Sequence, residues 1–177
     1  MNQQILNFPK TYIGIDNGIS GGVVALNEAG VVSYKILTPI ISVKKGKGNK
    51  SEYSLPAMVE ILEIVKNFTD VQIIVLERAQ SMPLQGVSSM FSIGKGFGMW
   101  QGIIAALKMP FVIVHPRTWQ KEIFRDLNHK DTKQASIITA QHLCPAESWL
   151  ATERSKKPHI GLTDAFCLAE YGRRLYK

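Results

Sequence analysis

Three acidic residues stand where a predicted strand ends or a predicted helix begins. Asp16 follows the apolar segment 11–15, and Glu77 follows the apolar run 71–76 (VQIIVL). Asp164 stands near the start of the last predicted helix. Carboxylate oxygens are the ligands that hard divalent cations such as Mg²⁺ prefer. Acids crowded together without a cation would raise one another's pKa, so a bound metal is the simpler explanation if the three meet.

Each acid also has an explanation that needs no metal. An Asp near a helix start is usually a cap or a partner of the helix dipole, and an Asp before a Gly-rich turn can serve the turn alone. Glu77 is harder to explain in this way, because burying an unpartnered carboxylate at a strand end is costly. The case for a metal site therefore depends on whether the fold brings the three acids together.

The order of the predicted elements would bring these acids to one edge of a sheet. Segments joined by short Gly- and Asn-containing turns predict an antiparallel meander over 11–16, 22–26 and 31–37. Apolar runs predict strands buried on both faces at 71–76 and 110–114. Helical periodicity predicts helices over 55–67, 92–108, around 119, 131–143 and 162–176. This order predicts an α/β fold whose mixed five-stranded sheet, an antiparallel meander plus parallel strands, is flanked by helices. Ligands gather at the carboxyl ends of strands in such a sheet, which is where the acids are expected.

The positive charge is concentrated in two segments. The 177 residues carry 21 Lys and Arg against 14 Asp and Glu, for a net charge of +7. Residues 44–50 supply four lysines, residues 153–177 supply six basic and three acidic groups, and the rest of the chain sums to zero. Such patches suit the phosphates of a nucleic acid, with binding that weakens steeply in salt. The predicted DNA contacts are Lys44, Lys45, Lys47, Lys50, Lys156 and Lys157.

Length and composition predict a single domain over residues 1–177, with a flexible basic loop at about 40–54 where apolar periodicity is missing. No apolar run approaches the roughly 18–20 residues of a membrane-spanning helix, so no membrane partner is expected. The first ten residues lack the features of a secretion signal. Two cysteines without C-x-x-C spacing exclude a disulfide framework or zinc site and favour a reducing cytoplasm.

Two glycine-containing motifs match functional patterns in letters alone. Residues 18–22 (GISGG) fit G-x-S-x-G, but the hydrolase elbow needs a helix after the serine, and a strand is predicted there. Residues 94–98 (GKGFG) lack the spacing of the dinucleotide fingerprint, and no strand directly precedes them. A serine hydrolase and a Rossmann-type site are therefore both excluded.

Three motifs together resemble those of RuvC-like Holliday-junction resolvases of the RNase H-like superfamily, especially the short versions encoded by phages. Residues 12–18 (YIGIDNG) resemble the family's first-strand motif G-I-D-P-G, with Asn17 in the place of Pro. Residues 75–78 (VLER) resemble its second acidic motif, and residues 161–169 (GLTDAFCLA) resemble its last-helix motif. The similarity spans residues 12–172 with the intervening elements in the expected order.

The resemblance implies a crossover junction endodeoxyribonuclease that cuts four-way or other branched DNA by two-metal phosphodiester hydrolysis. Two Mg²⁺ ions are expected, and Mn²⁺ can replace them. Asp16, Glu77 and Asp164 would be catalytic metal ligands. His159 is the candidate for the family's fourth ligand, with an ordinary surface histidine as the alternative.

The resemblance also implies roles for basic residues and for a second subunit. Lys121 and Lys133 would lie near the scissile phosphate. A homodimer is expected, because resolving a junction requires two cuts, and the Gly-rich helix 92–107 is its candidate interface. The expected location is the cytoplasm of a bacterium or of a phage-infected host.

The polar segment that follows Glu77 carries apolar side chains next to the predicted site. Met82 and Gln85 are predicted to contact DNA. An exposed apolar side chain in or just after this loop could wedge between bases at a junction; the alternative is that it packs under the loop. The candidates for such a wedge are Met82, Leu84, Met90 and Phe91.

Three other functions share some of these features. An RNase H-type enzyme would use a similar fold to cut the RNA strand of an RNA/DNA hybrid. A non-catalytic module that binds branched DNA would have no need of Glu77 at a buried strand end. A sugar-kinase-like phosphotransferase has a similar first strand and glycine turn, but it needs a second domain for which 177 residues leave no room.

Overall fold

The computed structural model describes residues 8–46, 48–80, 86–127 and 131–176. The strands are β1 Lys10–Asp16, β2 Gly22–Asn27, β3 Val32–Leu37, β4 Ile40–Lys45, β5 Gly48–Tyr53, β6 Asp70–Glu77 and β7 Phe111–Val114. The main sheet has five strands in the order β3-β2-β1-β6-β7. The pairs β1–β2 and β2–β3 are antiparallel, while β1–β6 and β6–β7 are parallel. The predicted meander and the predicted parallel strands are both confirmed.

Helices cover both faces of this sheet. They are α1 Leu55–Phe68, α2 Val87–Ala106, α3 Pro116–Ile123, α4 Thr132–Leu143 and α5 Ile160–Tyr176. One core cluster joins side chains of α3, α4 and α5 to one face, and a second joins α1 and α2 to the other. In the central strand β1, Tyr12 belongs to the first cluster while Ile13 and Ile15 belong to the second. The predicted α/β architecture, a mixed sheet between helices, is therefore confirmed.

The segment that was predicted to be a loop at about 40–54 is instead a β-hairpin. Strands β4 and β5 pair antiparallel from Ile40–Tyr53 to Lys45–Gly48 and form a separate two-stranded sheet, called the hairpin below. Every residue of β4 is exposed, and only the end of β5 is buried. A strand with no buried face shows no apolar alternation, so the sequence pattern could not reveal it.

Helix α2 begins about one turn earlier than predicted. Its first residues, 87–89, are exposed, so they add no apolar residue to the periodic pattern that marked the helix from residue 92. Within the described part of the chain, no helix combines the length and the apolar character needed to cross a membrane.

Candidate active site

The three predicted acids line one cleft. Asp16 ends β1 and Glu77 ends β6, and these parallel neighbours are in register up to the pair Ile15–Leu76. Asp164 lies about one turn into α5 and faces the same cleft. The cleft has a volume of about 470 Å³ and is called the acidic cleft below. The structure therefore places the three acids along one cleft at this edge of the sheet.

A glycine in β1 explains how α5 carries its acid to this edge. A side chain at Gly14 would place its Cβ 2.0 Å from the carbonyl oxygen of Ala165 and 2.3 Å from the amide nitrogen of Ala169. Because only glycine leaves room for this contact, α5 lies directly on the central strand. Asp164, next to Ala165 in the helix, is thereby held beside the strand end that carries Asp16.

Burial raises the pKa of all three carboxyl groups. For Asp16 the backbone N–H of Gly18, which donates to Oδ1 at 3.0 Å, partly opposes that rise in pKa. The pKa of Glu77 is raised to about 7 by burial and by the charge of Asp16, although the Trp119 indole donates to Oε1 at 2.9 Å. Low polarity and like charges both disfavour the ionised form of a carboxyl group, so ionisation of the acids in this cleft is unfavourable.

Asp164 responds to the same environment. Burial is the largest cause that raises its pKa to about 7, and the charges of Asp16 and Glu77 add to it. A hydrogen bond from the side chain of Ser136 and the positive charge of Lys133 act in the opposite direction. The three acids therefore interact electrostatically as one group.

The donor set fits Mg²⁺ better than a metal enclosed by protein ligands. In the described residues, no three or more His, Cys, Asp or Glu side chains stand close enough to hold one ion between them. Mg²⁺ does not require such an enclosure, because it usually binds one or two carboxylates and completes its shell with water and substrate phosphate oxygens. Buried carboxylates that repel one another are suited to a cation of this kind.

Basic and polar groups also line the acidic cleft. Strand β7 ends beside β6, and the amide of Arg78 donates to the carbonyl of Val114 at 2.8 Å. His115 caps α3, with its Nδ1 accepting from the amide of Arg117 at 3.2 Å. The lining groups that the sequence analysis missed are Asn17, Arg78, Gln80, His115, Arg117, Gln120 and Thr132. The end of β7 and Pro116 at the helix start were the available signals, because both place residues 115–117 at the same sheet edge.

Of the two lysines predicted near the scissile phosphate, one reaches the acidic cleft. Lys133, in the first turn of α4, lines it. Lys121 lines a separate depression with Thr118 and Arg125, and its neighbour Gln120 faces the cleft instead. On the short helix α3 one step along the chain turns a side chain by about 100°, which is enough to change the surface it faces.

His159 is not among the residues that line the acidic cleft. It lines another depression beside Ser20 and Thr38, beyond the turn that follows Asp16. Burial lowers the pKa of its imidazole, and its Nδ1 has no hydrogen-bond partner among the described residues. The structure therefore gives no geometric support to His159 as the fourth ligand.

The predicted DNA contacts are distributed over two exposed surfaces. Lys44, Lys45 and Lys50 are exposed on the hairpin, and Lys156 and Lys157 are exposed before α5. The predictions for Lys47, Met82 and Gln85, and the wedge candidate Leu84, lie outside the described residues. Of the remaining wedge candidates, Met90 is half-buried and Phe91 is 71% exposed in the first turns of α2.

This arrangement of strands and helices defines an RNase H-like fold. The chain is similar to RuvC from Thermus thermophilus in complex with a Holliday junction substrate, with a TM-score of 0.55, 13% identity, and 93% of this chain and 96% of that chain covered. A second Thermus thermophilus RuvC structure gives a TM-score of 0.53 at 14% identity, with the same coverage. The yeast mitochondrial Holliday junction resolvase Ydc2 gives 0.50 at 13% identity, covering 96% of this chain and 80% of that one. No family model and no curated protein matches the sequence.

Proposed function

We propose that this protein is a Mg²⁺-dependent endonuclease that resolves Holliday junctions or other branched DNA. The observation that carries the proposal is the presence of Asp16, Glu77 and Asp164, from three different elements, in one cleft that basic side chains also line. The fold shared with RuvC and Ydc2 supports the proposal. The RuvC structure is a complex with a Holliday junction substrate, and Ydc2 is a Holliday junction resolvase. A fold alone does not fix an activity, so the acids and the basic side chains of the cleft carry the argument.

The residues of the acidic cleft divide into two roles. Asp16, Glu77 and Asp164 would hold the metal, expected as two Mg²⁺ ions that Mn²⁺ can replace. Cations bound there would lower the pKa of an attacking water and stabilise the leaving 3′ oxygen. Arg78, Arg117 and Lys133 would bind the oxygens of the phosphate and orient it toward the acids, with Gln120 as a neutral donor or acceptor.

The DNA arms would extend beyond the acidic cleft. Lys44, Lys45, Lys50, Lys156 and Lys157 are exposed and positively charged, as contacts with the phosphates of a branched substrate require. A homodimer would supply the second incision. Its candidate interface is the exposed face of α2, where Gly94, Gly98 and Gly102 stand one turn apart and a side chain at any of them would meet no atom within 4 Å.

The test is cleavage of labelled four-way junction, flap, duplex and RNA/DNA hybrid substrates, with Mg²⁺ and with a chelator. Asp16→Asn removes one carboxylate charge at constant size, so we expect junction binding to persist while Mg²⁺-dependent cleavage falls. The fall should exceed the roughly 10–100-fold loss that follows when a group hydrogen-bonded to a metal ligand is removed, because Asp16 would be a ligand itself. Asp70→Asn is the matched control, because Asp70 is exposed at the opposite end of β6 from Glu77.

Each result decides between named functions. Cleavage of the hybrid in preference to the junction would support the RNase H-type alternative. Binding without cleavage under any metal would support the non-catalytic module. Undiminished cutting by Asp16→Asn would refute the assignment of the metal ligands.

A further inference from the structure

The side chain of Asn17 connects the two strand ends that carry acids. Asn17 follows Asp16 and is 4% exposed. Its Nδ2 donates to the backbone carbonyl of Glu77 at 2.5 Å, one position beyond the last register pair, Ile15–Leu76. A buried amide is stable only when its polar atoms are paired, so this bond fixes the spacing between the ends of β1 and β6.

The backbone carbonyl of Asn17 is held in turn by the hairpin. Tyr53, the last residue of β5, is 5% exposed, and its hydroxyl lies 3.2 Å from the carbonyl oxygen of Asn17. The same hydroxyl lies 3.1 Å from the carbonyl oxygen of Ser92 in α2. A single hydroxyl proton is therefore shared between the end of β1 and the start of α2.

No space remains where these three elements meet. A side chain at Gly96 would place its Cβ 2.3 Å from the Tyr53 hydroxyl and 2.4 Å from the Asn17 carbonyl oxygen. A second tie lies beside this contact, because Lys95 of α2 donates to Glu52 of the hairpin at 2.6 Å. The base of the hairpin is thus fastened to α2 and to the residue that follows Asp16.

We infer that Asn17 and Tyr53 are positioning residues, which form a bridge from the hairpin to the backbone of Asp16 and Glu77 and set the spacing of these two acids. The inference rests on the proposed function, since it concerns the same metal-binding acids. Neither residue donates a ligand; both act through the strand ends.

Two single variants and their combination test the bridge. Tyr53→Phe removes only the hydroxyl, and Asn17→Ala removes only the amide. Tyr34→Phe is the matched control, because Tyr34 is half-buried in the same core cluster but stands on β3, away from the acids. The first measurement is a calorimetric titration of the DNA-free protein with Mn²⁺, which does not depend on activity.

We expect each variant to weaken Mn²⁺ binding by about 10-fold, the lower end of the range for groups that orient metal ligands. The half-saturating Mg²⁺ concentration for junction cleavage should rise in parallel, while junction affinity measured in chelator stays at the wild-type value. The double variant should lose less than the product of the two single losses, because both changes break one chain of contacts. Tyr34→Phe should match the wild type in every measurement.

The outcomes distinguish a failure of this inference from a failure of the proposed function. A wild type that neither binds Mn²⁺ nor cuts any branched substrate would remove the proposed function, and the inference with it. A wild type that binds Mn²⁺ and cuts, with Tyr53→Phe unchanged in both metal titrations, would overturn the inference alone. Variants with a lower unfolding temperature but unchanged metal dependence would assign the bridge a structural role only, which also overturns it.

Discussion

Burial raises the pKa of Glu77 and Asp164 to about 7, so neither carboxyl group is fully ionised near neutral pH without a cation. Between pH 4.5 and 7 the folded protein then binds more protons than the unfolded chain. The free energy of unfolding of the metal-free protein should therefore fall as the pH rises through this window and level off above it. For Glu77 the change from 4.5 to about 7 corresponds to a loss on the order of 3 kcal/mol.

Urea denaturation at pH 5, 6, 7 and 8 measures this slope directly. Glu77→Gln should flatten it, whereas Glu63→Gln, at an exposed position of α1, should not. Saturating Mg²⁺ should restore stability above pH 7, because a cation compensates the ionised acids. A metal-free protein that gains stability between pH 5 and 7 would show that these carboxyl groups are not buried as described.

The indole of Trp119 gives a second prediction for a single residue. Its N–H donates to Oε1 of Glu77 and so favours the ionised carboxylate. Trp119→Phe should raise the pKa of Glu77 further and move the acid limb of the cleavage pH profile toward higher pH. Trp149→Phe is the matched control, because Trp149 is also buried but its indole N–H has no partner among the described residues. Equal shifts for the two variants would assign the effect to lost packing rather than to the hydrogen bond.

At the scale of the elements, the lysines of the hairpin differ in whether they form an ion pair within the protein. Lys50 donates to Glu52 at 2.9 Å, whereas no ion pair within the described ranges involves Lys44 or Lys45. Lys44 and Lys45 are therefore available for phosphates without first breaking a contact. Replacing both by Ala should reduce the slope of log K against log salt by about 2, since each phosphate contact contributes about 0.9.

Junction binding in chelator, followed by fluorescence anisotropy between 50 and 200 mM salt, measures that slope. Lys50→Ala should change the salt slope less than Lys44→Ala or Lys45→Ala does. Lys10→Ala serves as the control, because Lys10 lies at the far end of β1 from Asp16 and pairs with Glu28 at 3.2 Å. A salt slope unchanged by the double Lys44 and Lys45 variant would exclude the hairpin from the DNA interface.

How far the sequence predicts an element depends on what that element buries. The five strands of the main sheet were predictable because short turns mark the meander β1–β3 and because β6 and β7 are apolar runs. The hairpin was not, because its strands pair with each other and expose nearly every side chain. The same limit applies to the start of α2, whose first residues, 87–89, are exposed.

The residues of the candidate site also differ in how far the sequence predicts their position. Asp16, Glu77 and Asp164 could be predicted because each is tied to the end or the start of a recognisable element. Lys121 and His159 were assigned from the family resemblance, and a motif position does not determine the direction of a side chain on a helix or in a loop. The role of Tyr53 could not be foreseen, since it depends on a contact between elements 36 residues apart.

At the scale of the whole molecule, the number of cuts raises the question of symmetry. Each chain has one acidic cleft, and a four-way junction is resolved only when two strands are cut. A two-fold dimer would present two clefts to a substrate that itself has two-fold character. The described surface offers an apolar groove of about 470 Å³ between α1 and α2, lined by Leu55, Val59, Gly98, Met99, Gly102, Ile103, Ala106 and Leu107. An exposed apolar groove of this kind is typical of a protein interface.

Gly98 is the position at which this dimer can be tested without damaging the fold. A side chain there meets no atom within 4 Å, and glutamate is a better helix former than glycine, so Gly98→Glu should leave the monomer as stable as the wild type or more stable. The new charge would lie at the apolar interface, where its desolvation disfavours association. Light scattering after gel filtration should report a dimer for the wild type and a monomer for Gly98→Glu. Gln141→Glu adds the same charge to an exposed position of α4, on the other face of the sheet, and should remain dimeric.

A cleavage assay tests whether the dimer is needed for two coordinated cuts. On a supercoiled plasmid with an extruded cruciform, two cuts within one binding event release linear DNA, whereas independent cuts accumulate nicked circles. The wild type should yield linear product at early times, and Gly98→Glu should yield nicked circles, because its acids are intact but its second cleft is missing. Linear product from a Gly98→Glu protein that is monomeric on the junction would show that one chain makes both cuts, and the α2 face would then need another explanation.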